Sequence, residues 1–252
     1  MSKTLCFLLL GAAALSAETP DFSGVYYPIA PFGRGGGVPR PPATPGQPPP
    51  RPTQSAPLSD GSQGRAPNAP SLTPEYMAKW QTISKSRISG SSDYDYTAKC
   101  LPPGMPAMMN MAYGMEVMQT KDKITFFSEL NDALRRVYLD GRKASQKVLD
   151  DPTYAGYSTG HWEGDTLVVE TVAIHADNSF IEGFTPHSDQ MTVSERIRLL
   201  EPDLLEDRIT VTDPKALTKP WTTVKTYRKA KAGSGKDELR EFACPEGLGE
   251  AK

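Results

Sequence analysis

A series of short, β-prone segments constrains the fold of this 252-residue chain more than any other feature of its sequence. Apolar and polar residues alternate in most of these segments, and turn-forming residues separate most neighbours. The segments cover residues 115–120, 123–130, 134–139, 154–162, 166–172, 190–200, 204–213 and 221–228. Such a series predicts an antiparallel meander, and closure into a barrel is the usual way to bury its edges. We therefore predict an all-β barrel, with a two-layer β-sandwich as the alternative.

One helix is expected ahead of these strands, over residues 73–83. A threonine that can cap a helix, a proline and a glutamate occupy residues 73–75, and all three suit the first turn. Tyr76, Trp80 and Ile83 then recur at helical spacing. This apolar face is predicted to pack on the sheet.

Residues 1–17 have the form of a secretory signal peptide. A lysine precedes an apolar core that is too short for a stable membrane span, and small residues favour cleavage after Ala17. We therefore expect a mature protein outside the cytoplasm, either periplasmic or secreted, with no membrane-inserted segment.

Proline and glycine dominate most of residues 18–70, which contain few large apolar side chains. Such a segment cannot bury enough surface to offset its ordering entropy, so it is predicted to be a disordered tether. Residues 22–27 could form a short strand within it. The tether acts either as a spacer or as a docking segment for a protein partner. A barrel domain over residues 71–247 and a flexible tail over 248–252 are expected to follow.

Charge restricts the choice of partners. The formal net charge is −2, and the sequence has no basic stripe interleaved with aromatic residues. Both features argue against nucleic acid as a main partner.

Cleavage of the signal peptide would leave two cysteines, Cys100 and Cys244. In an oxidising compartment, an isolated pair is most simply a disulfide. Neither cysteine has an activating neighbour in the sequence, so a catalytic thiol is the weaker alternative.

The run GHWEGDTLVVET at residues 160–171 resembles the signature of an uncharacterised family of exported bacterial proteins. Further motifs of that family occur in one order, at residues 101–106, 140–142, 186–189, 195–196, 213–214 and 220–221. The resemblance covers roughly residues 98–247 and implies export without implying a mechanism.

A second resemblance concerns Gly24-Val25-Tyr26, which is similar to the Gly-x-Trp opening of lipocalin-like barrels, with tyrosine in place of tryptophan. It implies that this segment adds a strand to the barrel. A barrel of eight to ten strands can enclose side chains or one small ligand.

Several residues are candidates for contact with such a ligand. Methionine adapts to irregular shapes, so the cluster at residues 105, 108, 109, 111, 115 and 118 could line a pliable apolar pocket or simply fill gaps. If Glu170 faces inward it needs a partner such as Arg196, and that pair could hold the polar end of a ligand. The predicted ligand contacts are Trp162, Glu170, Arg196 and Met115.

The histidines offer a different chemistry. Residues two apart in a strand share a face, so His161 can point with Glu163, and His187 with Asp189. These four residues are the candidate catalytic set, acting as acid and base. No cofactor is predicted; the alternative is a divalent metal on His161, His175 and His187. Turn chemistry alone also explains residues 163–165.

Gly156-x-Ser158-x-Gly160 satisfies the nucleophile-elbow pattern of α/β-hydrolases. That pattern requires a helix after the serine, whereas a strand is predicted here. The glycines more simply allow a close crossing in the barrel wall.

The sequence therefore predicts an exported barrel that binds a small, partly apolar molecule inside or at the mouth of the barrel. An extracytoplasmic enzyme, either a hydrolase or a lyase/isomerase, is the first alternative. An envelope scaffold or interaction protein is the second.

Overall fold

The computed structural model describes residues 19–29, 65–66, 68–110, 113–177 and 179–243. The predicted signal peptide, most of the predicted tether, Met111, Cys244 and the predicted tail lie outside these residues. The proposed Cys100–Cys244 disulfide therefore stays a prediction.

Nine strands form one closed barrel, in which each strand pairs with its neighbours along the chain and the last pairs with the first. The strands are β1 (Gly24–Pro28), β2 (Met115–Gln119), β3 (Lys123–Ser128), β4 (Ala133–Tyr138), β5 (Tyr157–Glu163), β6 (Thr166–Val172), β7 (Thr192–Glu201), β8 (Leu204–Thr212) and β9 (Trp221–Lys229). This arrangement confirms the predicted all-β barrel and excludes the sandwich. The strand expected near residues 22–27 is β1.

One strand pair departs from the predicted antiparallel meander. β4 and β5 run parallel and are paired only at Val137–Ser158 and Tyr138–Thr159. Parallel neighbours need a crossover connection rather than a hairpin. Residues 139–156 provide it, and they contain the short helix α2 (Gln146–Asp150).

The end of the barrel at which β1 begins is closed by a side chain from the N-terminal segment. Phe22 is fully buried there, with its ring 5.1 Å from that of Trp162. Its backbone N–H donates to the side-chain oxygen of Gln119 at 3.0 Å. We call this the Phe22 end.

The long helix α1 (Pro74–Ile88) covers the opposite end. The chain just before it is anchored to the β8–β9 connection, because the Thr73 N–H donates to the carbonyl oxygen of Ala216 at 2.9 Å. The predicted apolar face on Tyr76, Trp80 and Ile83 is buried. The Thr73 hydroxyl donates to the Lys215 carbonyl instead of capping the helix. We call this the α1 end.

Neither α-helix in the described ranges is long and apolar enough to cross a bilayer.

Candidate ligand pocket and a buried polar cluster

A pocket of about 670 Å³ lies at the α1 end, between α1 and the connection that joins β6 to β7. We call it the α1 pocket. Its lining residues come from the helix, the segment after it and that connection: Tyr76, Lys79, Thr82, Ile83, Tyr94, Ala176, Asp177, Phe180, Pro186, His187, Ser188 and Asp189. The wall is therefore partly aromatic and partly polar, as small-molecule pockets commonly are.

His187 is the buried polar group in this wall. Its side chain is almost completely buried, and Nδ1 lies 2.9 Å from the carbonyl oxygen of Ser188. A carbonyl oxygen can only accept, so Nδ1 carries the proton and Nε2 bears a lone pair. Nε2 is also buried, and it has no hydrogen-bond partner in the described part of the chain.

Burial also fixes the charge of this histidine. The pKa of His187 is lowered from its usual value of 6.5, mainly because burial penalises the charged imidazolium. The hydrogen bond to Ser188 and the Asp213 carboxylate act in the opposite direction, but more weakly. At neutral pH the imidazole is therefore uncharged and presents an acceptor at Nε2.

The Asp213 carboxylate holds the segment that carries His187. It accepts hydrogen bonds from the Ser188 backbone N–H at 2.6 Å and from the Ser188 hydroxyl at 2.7 Å. It also accepts from the backbone N–H groups of Lys215 and Ala216. Ser188 is therefore committed to Asp213 and is not positioned as a nucleophile by the adjacent histidine.

The structure separates the four predicted catalytic residues. His187 and Asp189 line the α1 pocket, where Asp189 pairs with Lys215 at 2.9 Å. His161 and Glu163 lie on exposed positions of β5, close to the Phe22 end, with 3.3 Å between His161 Nε2 and Glu163 Oε1. β6 lies between the two pairs and spans roughly 20 Å at about 3.3 Å per residue.

The three candidate metal ligands are also distributed. His175 stacks on Tyr154 with ring centroids 5.0 Å apart, and it lies near enough to His187 to affect its pKa. His161 belongs to the exposed pair on β5. Within the described ranges, no group of three histidine, cysteine or acidic side chains has the arrangement of a metal site.

The four predicted ligand contacts lie at separate places. Trp162 packs on Phe22, and Met115 belongs to the buried core. Glu170 is exposed. Arg196 pairs with Glu163 at 2.9 Å on the outer surface. The inward pair of Glu170 with Arg196, which was expected only if Glu170 faces inward, is not formed, because both residues occupy the outward positions of their strands.

An inward Arg–Glu pair does exist, but between other residues: Glu195 on β7, next to Arg196 in the sequence, and Arg135 on β4. Arg135 and Glu195 are fully buried and joined by two hydrogen bonds, one of them 2.9 Å long between Nη1 and Oε1. Arg135 also donates to the Ser158 and Thr171 hydroxyls, each at 3.0 Å. We call these residues, together with Asp207, the buried polar cluster.

Asp207 completes the cluster. Its pKa is raised well above 3.8, first because it is fully buried and second because the Glu195 carboxylate lies beside it. Neither oxygen accepts a hydrogen bond from any described residue. A protonated, uncharged Asp207 fits both observations. The alternating pattern of the two strands could have indicated this cluster. Glu195 and Asp207 each have a buried apolar side chain two residues before and two residues after them.

The Gly-x-Ser-x-Gly pattern belongs to the barrel wall. Ser158 is fully buried, and it hydrogen-bonds with Thr171 at 2.8 Å as well as with Arg135. A Cβ on Gly160 would lie 2.9 Å from the carbonyl oxygen of Val168, which is a close crossing. Strand β5 continues past the serine, so the elbow geometry of a hydrolase is not formed.

No family model and no curated protein matches the chain. Among solved structures, the chain is similar to a mutant of the fluorescent protein UnaG, with a TM-score of 0.28 and 16% sequence identity. That alignment covers 47% of this chain and 71% of the other. The motif-based family resemblance therefore stays a prediction, and the barrel rests on the strand pairing described above.

Proposed function

We propose that this protein binds a small, partly apolar molecule in the α1 pocket, with a hydrogen-bond donor of the ligand directed at Nε2 of His187. The observation that carries the proposal is the unpartnered Nε2 of His187, a buried nitrogen of a residue that lines the pocket. Buried polar groups in folded proteins nearly always have a partner. A donor supplied by a ligand would satisfy this one.

The chemistry of the wall indicates the class of ligand. Tyr76, Ile83 and Phe180 supply apolar area. The charges of Lys79 and Asp189 are engaged by Glu75 and Lys215. A compact aromatic or aliphatic molecule with one hydroxyl or amide N–H suits such a wall better than a highly charged one.

The predicted export would place this binding outside the cytoplasm. A ligand carrier there would bind and release its molecule without a chemical step. The barrel supports the pocket, because α1 is anchored to the β8–β9 connection and the opposite wall belongs to the β6–β7 connection.

The proposal can be tested with a pair of aromatic probes, one with a free hydroxyl and the other with that hydroxyl methylated. We expect 4-methylphenol to bind more tightly than 4-methylanisole by about 2- to 10-fold, the usual worth of one neutral hydrogen bond. His187→Leu should abolish this difference, whereas His161→Leu, on the exposed side of β5, should preserve it. Titration calorimetry measures each affinity, and native mass spectrometry of the purified protein identifies any molecule that copurifies.

Two further variants test the site independently of His187→Leu, in case that variant has a folding defect. Thr82→Trp fills the α1 pocket from an exposed helix position, and Ala78→Trp is the control on an exposed position of the same helix outside the lining. Binding should be lost only in the former. Equal affinity of both probes for the wild type, or full binding by Thr82→Trp, would refute the proposed site.

Catalysis is the second candidate, because a neutral imidazole whose other nitrogen is fixed by a carbonyl is also suited to act as a general base. His187 would then remove a proton from the bound molecule. To test this, a probe that binds through its hydroxyl is incubated with the protein for a prolonged period and then recovered. A chemically unchanged probe supports binding without catalysis.

A further inference from the structure

The wall of the barrel is weakest between β4 and β5. Their parallel ladder contains two residue pairs, both near the C-terminal end of β4. By contrast, β5 and β6 pair along seven positions, from Tyr157 to Glu163. The N-terminal half of β4 therefore has no strand partner on its β5 side, and the two strands diverge there.

A second pocket lies at this divergence, with a volume of about 420 Å³. We call it the seam pocket. Ala133, Ala155 and Gly156 contribute little side-chain volume, which leaves the space open. Met108 contributes to the lining, as do the rings of Tyr138 and Tyr157, whose centroids are 5.4 Å apart. This combination provides flat apolar surface and a flexible thioether.

Arg136 supplies a charge to the seam pocket. Its side chain is exposed on the outer face of β4, and no ion pair or hydrogen bond engages it within the described part of the chain. Two other exposed strand arginines are paired: Arg196 with Glu163, and Arg198 with Glu206. The Arg136 guanidinium is thus available to a ligand, and it can bind a carboxylate, sulfonate or phosphate through two parallel hydrogen bonds.

Asp132 restricts how an anionic ligand can be oriented in the seam pocket. It lines the pocket immediately before β4, whereas Arg136 lies four residues further along the chain, within that strand. An anionic group is attracted to the Arg136 side and repelled from the Asp132 side. The ligand must therefore be long enough to cover the ring surface with its charge at one end.

We propose that the seam pocket is a second ligand site, which takes a flat apolar molecule carrying one anionic group that pairs with Arg136. It is independent of the α1 pocket and shares none of its lining residues. Its reporter is Met108, which lines the seam pocket and not the α1 pocket.

The test uses naphthalene-2-carboxylate and its neutral analogue naphthalene-2-methanol, with methyl NMR of ¹³C-methionine-labelled protein. The carboxylate should shift the Met108 signal, and the alcohol should bind about three- to tenfold more weakly. Arg136→Gln should remove this advantage. Arg208→Gln is the matched control, since Arg208 is an exposed arginine on β8, away from the seam, and it too has no ion pair or hydrogen bond within the described part of the chain.

Two more variants separate this site from the α1 pocket. Ala155→Trp should block the Met108 response by filling the seam, whereas Thr82→Trp should leave it unchanged. The proposal is overturned if acid and alcohol bind equally well to the wild type, if Arg208→Gln weakens binding as much as Arg136→Gln, or if Ala155→Trp binds normally. Failure of the phenol experiment would leave these outcomes unaffected.

Discussion

At the scale of single residues, the buried polar cluster sets an unusual balance of charge. The guanidinium of Arg135 is neutralised by Glu195 and further satisfied by two hydroxyl groups. A second full negative charge on Asp207 would share Arg135 with Glu195 and Lys225 with Glu182. The raised pKa of Asp207 therefore follows from both its burial and the charge of its neighbour.

Asp207→Asn should become more stable relative to the wild type as the pH rises. Because the folded protein retains a proton that the unfolded chain loses near pH 3.8, the wild type loses stability as the pH increases toward the folded pKa of Asp207. Each pH unit in that window contributes about 1.4 kcal/mol. Urea unfolding of both proteins between pH 4 and about 8 measures the difference.

The control for this prediction is Asp189→Asn. The pKa of Asp189 is lowered by Lys215, so its contribution to stability has the opposite sign and is lost as the pH falls. A difference between Asp207→Asn and wild type that stays constant with pH would show that Asp207 ionises normally in the folded protein.

Arg135→Met should destabilise the protein by about 3–5 kcal/mol, because it leaves the Glu195 carboxylate buried without its cation. The double variant Arg135→Met/Glu195→Gln should be less destabilised than the single one. Thermal or urea unfolding of the two variants provides the comparison. Equal losses in both would mean that the volume of the arginine, and not the pairing of charge, stabilises the barrel.

His187 gives a prediction for the stability of the protein at acidic pH. Its pKa is lowered from 6.5, so the unfolded chain takes up a proton before the folded protein does as the pH decreases. The stability advantage of the wild type over His187→Gln should therefore shrink from about pH 6.5 downward. His161→Gln, which alters an exposed histidine, serves as the reference in the same unfolding series. An unchanged advantage at pH 5 would contradict the assigned neutral state.

At the scale of elements, β5 shows why a glycine-rich motif can be structural. Gly160 lies so close to β6 that an added methyl group would approach the Val168 carbonyl to 2.9 Å and Val137 to 3.0 Å. We expect Gly160→Ala to cost about 1–3 kcal/mol, the usual range for overpacking. Thr159→Ala, at the adjacent position, should cost less than about 1 kcal/mol. The midpoints of urea unfolding measure the loss of stability in each variant. Similar losses in Gly160→Ala and Thr159→Ala would contradict the close-crossing explanation.

The elements also show how far the sequence determines this fold. Each predicted strand from residue 115 onward has a counterpart, because alternation and turn residues act locally. The parallel direction of β5 depends on where residues 139–156 lead the chain, and no local pattern encodes that. The face of each charged residue was harder to predict. Glu170 and Glu195 both lie among apolar residues, and only the register of β6 and β7 shows which of them points inward.

The candidate site was predicted only in part for the same reason. His187 was selected because it lies two residues from Asp189, but its neutrality depends on burial by α1 and by the β6–β7 connection. The seam pocket could not be predicted, since it arises where two strands fail to pair. Arg136 carried no sequence signal that distinguishes it from the neighbouring Arg135.

At the scale of the whole molecule, the barrel depends on N-terminal residues that are far in sequence from strands β2 to β9. Phe22→Ala should destabilise the protein by about 3–5 kcal/mol, because it removes a fully buried ring that closes the Phe22 end. Ile29→Ala is the matched control at the other side of β1, where half of the side chain is exposed. Comparable unfolding midpoints for the two variants would exclude a closing role for Phe22.

The pairing of β1 with β9 joins Tyr26 to Lys229. Nearly the whole length of the polypeptide must be synthesised before these two partners can meet, so the cylinder cannot shut while the ribosome is still adding earlier strands. Contacts between such remote positions carry a large loop-closure cost and slow the reaction. A nascent chain of this kind therefore stays open until its final strand emerges, which leaves a long interval for chaperones to act on it.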